Sequence, residues 1–137
     1  MDKRDNVYMF YRCDMDKSLA QTWMKILDEE SIDKIKVECA DGYYTYINQM
    51  LLLSNCHQIK RFFDNNDLPR IDPNEEMIIT LPSIVSGQAF NSIVDFIYHG
   101  IAKVYLKDLQ NFLDAAKFLE VNGLKDIEIA FEDQRFD

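Results

Sequence analysis

Residues 89–121 read AFNSIVDFIYHGIAKVYLKDLQNFLDAAKFLEV, and their periodicity decides the fold. Phe90, Ile93, Val94, Ile97 and Tyr98 fall at the i, i+3, i+4, i+7, i+8 spacing of a helix with one buried face. Gly100 follows where such a helix stops, since glycine enters a left-handed cap without a Cβ clash. Ile101–Leu106 is a short β-like run. Leu109, Phe112, Leu113, Ala116, Phe118 and Leu119 then open a second amphipathic helix. This helix–break–strand–helix unit carries no catalytic group, which points to a scaffold that works through its surfaces.

Working back from this unit, Met77–Leu81 is a strand closed by Pro82, and residues 64–76 (DNNDLPRIDPNEE) form a loop with two prolines and no periodicity. His57–Phe63 reads as a helix. Asn48 caps a short helix through Met50, Leu51, Leu52 and Leu53, which is apolar all round and is expected to be central and buried. Ile35, Val37 and Cys39 alternate with Lys34, Lys36 and Glu38 as in a half-buried strand. Asp41-Gly42 is a tight-turn dipeptide, and Tyr43–Ile47 returns from it. Asp14–Glu30 reads as a helix with Leu19, Trp23, Ile26 and Leu27 on one face.

At the front, Val7–Cys13 has strand composition and is apolar on both faces, so it needs a partner, for which a second subunit is the expected source. Tyr8, Phe10 and Tyr11 in particular are too apolar to be left in water together. Past Asn122-Gly123, Leu124–Ala130 reads as a last short helix. The expected organisation is an arm over 1–13, a domain over 14–131 and a frayed tail over 132–137. The fold class is α+β: a helical cluster flanked by a small, mostly three-stranded sheet, with an N-terminal strand available for pairing between subunits.

Length and charge narrow the functions. A chain of 137 residues is one domain of ordinary apolar content, 47%. The formal net charge is −9, and the basic residues adjoin only as the isolated pairs Lys3–Arg4 and Lys60–Arg61, so direct nucleic-acid contact is not expected. No apolar run approaches the roughly 18 residues of a membrane span, and the first residues lack the pattern of a secretory signal. Cys13, Cys39 and Cys56 are odd in number and widely spaced, which fits small core residues in a reducing compartment better than a disulfide framework or zinc cluster.

The chemistry that remains is sparse. Cys56 and His57 are adjacent, yet neighbours on a helix point about 100° apart and do not face each other. His99 sits at a helix end, where a cation suits the dipole. The acidic residues of the 64–76 loop lack the glycine and alternation of a calcium loop, and no glycine-rich phosphate cradle is present. No enzyme, cofactor or metal is expected.

With the elements in place, the chain resembles the BTB/POZ domain family. The carriers are IKVECADGYYTY, INQMLLLS, RFF and MIITLPSIVSGQAFNSIVDFIYHGIAKVYLKDLQNFLDAAKFLEV. Phe90, Ile93, Val94, Asp95, Phe96, Ile97, Tyr98 and Gly100 fall on the family's F-x-x-L-L-D-F-I-Y-T-G pattern. Leu109, Leu113, Ala115, Ala116 and Leu119 fall on its closing helix. The front, VYMFYRCDMDKSLAQTWMKIL, is similar to insect Tramtrack-type members, in which an early strand pairs across a dimer.

The resemblance implies a protein–protein interaction domain that homodimerises or assembles further, at the N-terminus of a zinc-finger transcription or chromatin regulator in the nucleus, with the cytoplasm as the alternative. Its partners would be itself, other BTB proteins and corepressors. The implied dimer interface is Val7, Tyr8, Met9, Phe10, Tyr11, Leu19, Trp23, Ile26 and Leu27; from the residues alone, Trp23 reads equally as a core residue of the first helix. The family's charged pocket would fall on Asp33 and Gln49, where Gln49 replaces the usual basic residue and leaves the pocket degenerate. The alternative function is a substrate adaptor for a cullin-type ubiquitin ligase, acting through the 64–76 loop with the helix beginning near Gly87, although that loop lacks the hydrophobic-x-Glu contact motif.

Overall fold

The computed structural model describes residues 6–11, 34–64, 70–71, 77–124 and 127. Its elements are β1 (Val7–Tyr11), β2 (Lys34–Glu38), β3 (Tyr44–Asn48), α1 (Gln49–Asn55), α2 (His57–Asp64), β4 (Arg70–Ile71), β5 (Met77–Thr80), α3 (Gly87–His99), β6 (Ile101–Tyr105) and α4 (Leu106–Leu119). The expected helices over 14–30 and 124–130, the tail, and both domain boundaries lie outside the described residues, wholly or in most of their length.

Two sheets form. One has the order β3-β2-β5-β4, with β2 and β5 parallel and its other pairs antiparallel; the second is the two-stranded ribbon β1-β6. The expected three-stranded sheet is β3-β2-β5. The two-residue β4 extends it from within the segment read as a loop, because Arg70 and Ile71 align with Ile78 and Met77. Sheet pairing creates this strand, and so short a piece has no periodicity of its own.

The core is aromatic and lies between α3, β6 and α4 on one side and the larger sheet on the other. Phe90, Phe96 and Phe112 are fully buried, as are Ile35, Ile47, Leu52, Ile59 and Ile79. Helix α3 begins at Ser86, whose hydroxyl accepts from Ala89 N at 3.1 Å, and stops at Gly100 with φ 74°. Helix α4 ends at Leu119, followed by a left-handed Glu120 with φ 54°. Val121 N then donates to Ala116 O and Asn122 N to Asn55 O, which ties the end of α4 to the α1–α2 corner.

Helix α1 departs from expectation. Asn48 caps it, accepting from Leu51 N at 3.1 Å, but of its apolar residues only Leu52 is fully buried; Leu51 and Leu53 are half-buried and Met50 is 60% exposed. A helix that is apolar all round has no phase to read, and here one side of it faces outward.

The arm also differs. β1 pairs antiparallel with β6 of its own chain, from Val7 opposite Tyr105 to Tyr11 opposite Ile101. β6 offers a free edge there and Phe112 offers an aromatic floor, so Phe10 finds its shelter within one chain. In the single chain Phe10 is thus buried, while Val7, Met9 and Tyr11 stay exposed.

The β2–β3 turn is fastened to α3 by one carboxylate. Cys39 N donates to Tyr43 O and Gly42 N to Cys39 O, a three-residue loop with Gly42 at φ 94°. Asp41 accepts from Gly87 N at 2.7 Å and from Tyr43 N at 3.1 Å. These bonds, Gly87 first, hold its carboxyl below its ordinary value. A Cβ on Gly87 would strike the Tyr43 side chain, reaching its Cγ at 2.7 Å, whereas one on Gly42 would meet nothing within 4 Å. Gly87→Ala is therefore expected to cost at least about 3 kcal/mol by overpacking, and Gly42→Ala about 1–2 kcal/mol through its positive φ alone, both read from urea melts. Because the Asp41 carboxyl is depressed in the fold, its contribution is present above the unfolded pKa of about 3.9 and is lost as pH falls through the folded value. The stability gap between the native chain and Asp41→Asn should close on acidification; a gap indifferent to pH would remove the charge from the account.

Cys39 and Cys56 are free and buried. Burial pushes the Cys56 thiol up to about 12, and burial with the neighbouring Asp41 charge pushes Cys39 up to about 11. Thiol reagents near neutral pH should label these two only as fast as the chain opens, with rates that track denaturant; immediate labelling of Cys39 or Cys56 in a native Cys13→Ser chain would contradict their placement.

Candidate interaction surface

The ribbon has two unlike faces, because successive residues of a strand point to opposite sides. Tyr8 and Phe10 turn inward opposite Val104 and Ala102. The Phe10 ring lies 5.0 Å from Phe112, tilted by 37°. Val7, Met9 and Tyr11 turn outward opposite Tyr105, Lys103 and Ile101. Val7, Met9, Tyr11 and Tyr105 are 38%, 44%, 51% and 41% exposed, and Lys103 Nζ stands 5.7 Å from the Tyr105 ring centre. Large apolar groups aligned along one rigid face in this way mark an interaction surface.

Sequence reasoning missed a second exposed group. Tyr44 and Tyr46 stand on the outer face of β3, edge to face at 6.3 Å, with Lys36 Nζ 4.4 Å from the Tyr44 ring centre and 3.6 Å from Glu38. Its signal was the alternation: Ile35, Val37 and Ile47 fix the inner face, so Tyr44 and Tyr46 must occupy the other. Tyr105 was likewise findable, lying out of phase with Ala102 and Val104. Met50 was not, for want of a phase in α1.

The expected interface residues divide. Val7, Met9 and Tyr11 are on the outer ribbon face and Tyr8 and Phe10 on the inner. Leu19, Trp23, Ile26 and Leu27 lie outside the described residues. Of the pocket pair, Gln49 is the half-buried first residue of α1, and Asp33 also lies outside.

Candidate chemistry does not assemble. The Cys56 thiol sits in the core with its proton held more tightly than usual, the reverse of an activated nucleophile. His99 is exposed in the last turn of α3. Lys60 pairs with Asp64 at 2.8 Å and Arg61 with Glu120, so the basic pair is spent locally. A depression of about 210 Å³, open to solvent, lies between α3, β6 and α4; Gln88 donates to Asp108 there at 2.6 Å, with no nucleophile and base beside it. Among the described residues no group of three or more metal-ligating side chains occurs, and no helix is long and apolar enough to cross a membrane.

Comparison with known proteins gives these features a context. The family model of the BTB/POZ domain matches residues 25–135. A curated relative, the Broad-complex core protein isoforms 1/2/3/4/5 of Drosophila melanogaster, is 29% identical over 107 residues, 78% of this chain; the chain spans only 14% of that protein's length. Among solved structures, the BTB (Tramtrack and Bric a brac) domain of human Gigaxonin matches with a TM-score of 0.62 at 21% identity, over 81% of this chain and 88% of its own, a likeness of fold alone. With most of its length matched by the family model and the expected order of hairpin, helix pair and helix–strand–helix unit in place, the chain belongs to the BTB/POZ domain family, a family of protein-interaction modules.

Proposed function

We propose that this chain is the self-associating domain of a nuclear transcription or chromatin regulator, and that two copies join through their N-terminal arms and first helices. The observation that carries the reading is the outer face of the β1–β6 ribbon, where four large apolar side chains stand exposed on one rigid surface. In the dimer, β1 leaves its own β6 and pairs in the same register with β6 of the second copy. Reciprocal exchange preserves every ladder bond and closes with two-fold symmetry, which makes it a low-cost route to a dimer. With the expected helix over 14–30 at about 1.5 Å per residue, the 22 residues between Tyr11 and Lys34 span at most roughly 40 Å. Leu19, Trp23, Ile26 and Leu27 would add the apolar area that an obligate-type interface needs.

The domain then brings together two copies of whatever follows it. Where that is a DNA-binding module, pairing makes the second binding event intramolecular and raises avidity. The likeness to the Broad-complex core protein supports this setting. Other BTB chains and corepressors are the further partners; with a net charge of −9 the domain itself avoids nucleic acid. Of the surface expected for the cullin-adaptor alternative, the helix from Gly87 is described and most of the 64–76 loop is not.

At roughly 10 μM, well above the dissociation constant expected of such an interface, sedimentation should show a dimer or larger species. Removal of residues 1–11, or the pair Leu19→Asp and Trp23→Asp, should yield monomer. Association should tighten with added salt, because two acidic chains repel each other until screened. A monomeric native chain would overturn the reading, and capture of a cullin by a chain that does not self-associate would favour the adaptor.

A further inference from the structure

Opposite each large inward residue of the arm, β6 presents a smaller one: Ala102 across from Phe10, Val104 across from Tyr8. Directly opposed residues of an antiparallel ladder hold their Cβ atoms about 4.5–5.5 Å apart, so the Phe10 ring fills space that a longer side chain at position 102 would occupy. The ring continues to Phe112, 5.0 Å away, and Ala102 and Phe112 are both buried. The arm's backbone bonds discriminate little. The ladder and the bond from Leu106 N to Asn6 O at 2.8 Å use backbone alone, and Val7, Met9 and Tyr11 point away from the core. Selectivity between one β6 and another therefore falls on the inward side chains.

We infer that the seat formed by Ala102 and Phe112 for Phe10 selects the arm's partner. An arm pairs across subunits only with a β6 that is small opposite its aromatic residue and has an aromatic ring beneath. The occupant is residues 6–11 of a second copy, or of a related chain that carries the same inward pattern. This rests on the reading that arms exchange between copies, and it adds the rule by which a copy is accepted or refused. Ala102, an unremarkable residue in composition, becomes a specificity-determining one.

The test mixes two single-variant chains. Phe10→Ala leaves a void over Phe112, and Ala102→Phe fills the seat before the arm arrives. Each alone carries the same defect in the closed chain and in the exchanged dimer, because exchange preserves the pairing, so self-association of either variant alone should change by less than about tenfold. In the mixture, exchange sets the unaltered arm of one chain on the unaltered β6 of the other, while the shortened arm meets the enlarged strand residue. Mixed dimers should then exceed either self-dimer by about tenfold, counted by native mass spectrometry on chains with distinct mass tags. A statistical spread of the three dimers would overturn the seat as selector. Undiminished association after removal of residues 1–11 would instead overturn the arm-exchange reading beneath it. Circular dichroism checks each variant's fold, and Ala102→Leu with Phe10→Val supplies the same contrast should Ala102→Phe fail to fold.

Discussion

Phe10 comes from the first strand and Phe112 from the last described helix, and their contact at 5.0 Å joins the two ends of the chain. The rest of the ribbon depends on it. A two-stranded sheet is marginal by itself in water and needs a body to pack against; the inward faces of β1 and β6 find that body in α3 and α4. With Phe10 seated, the alternation of the strand forces Val7, Met9 and Tyr11 to the outside. One buried ring thus produces an exposed apolar face, and the proposed function follows from that face.

The larger sheet is secured separately. Its hairpin is clasped to α3 by the Asp41 carboxylate, and Gly87 gives the backbone room to approach Tyr43. Tyr43 in turn donates from its hydroxyl to Asn91 on α3 at 3.0 Å, and Asn48 N donates to the Tyr98 hydroxyl at 3.0 Å. Sheet and helix are therefore held by a few polar bonds around an aromatic core. No side-chain polar atom among the described residues is buried without a partner.

How much of this the chain discloses depends on whether a segment has a phase. Helices α3 and α4 were legible because Phe90, Ile93 and Ile97, then Leu109, Phe112 and Ala116, repeat at helical spacing around the stop at Gly100. The β2–β3 hairpin was legible from strict alternation. Helix α1 was misread, since QMLLLSN is apolar on every side and its exposed Met50 cannot be told from its buried Leu52. β4 is a product of its neighbour β5. The arm was recognisable as a strand, but which edge it joins is set by tertiary packing, so its own-chain pairing with β6 was not foreseen. Of the site, Val7, Met9 and Tyr11 were named through the family resemblance. Tyr105 and the Tyr44–Tyr46 pair were passed over although their strand phase exposes them, and the importance of Ala102 emerges only from the register.

Whether the arm crosses between copies is the point on which the functional account turns, and the seat itself can report it. In a dimer assembled from one isotope-labelled and one unlabelled copy, a filtered nuclear Overhauser experiment reads contacts between chains alone. The account predicts a cross-peak between the ring of Phe10 in one copy and the methyl group of Ala102 in the other. If that contact is found only within a single chain while the dimer persists, the copies are joined by some other surface and the account is wrong.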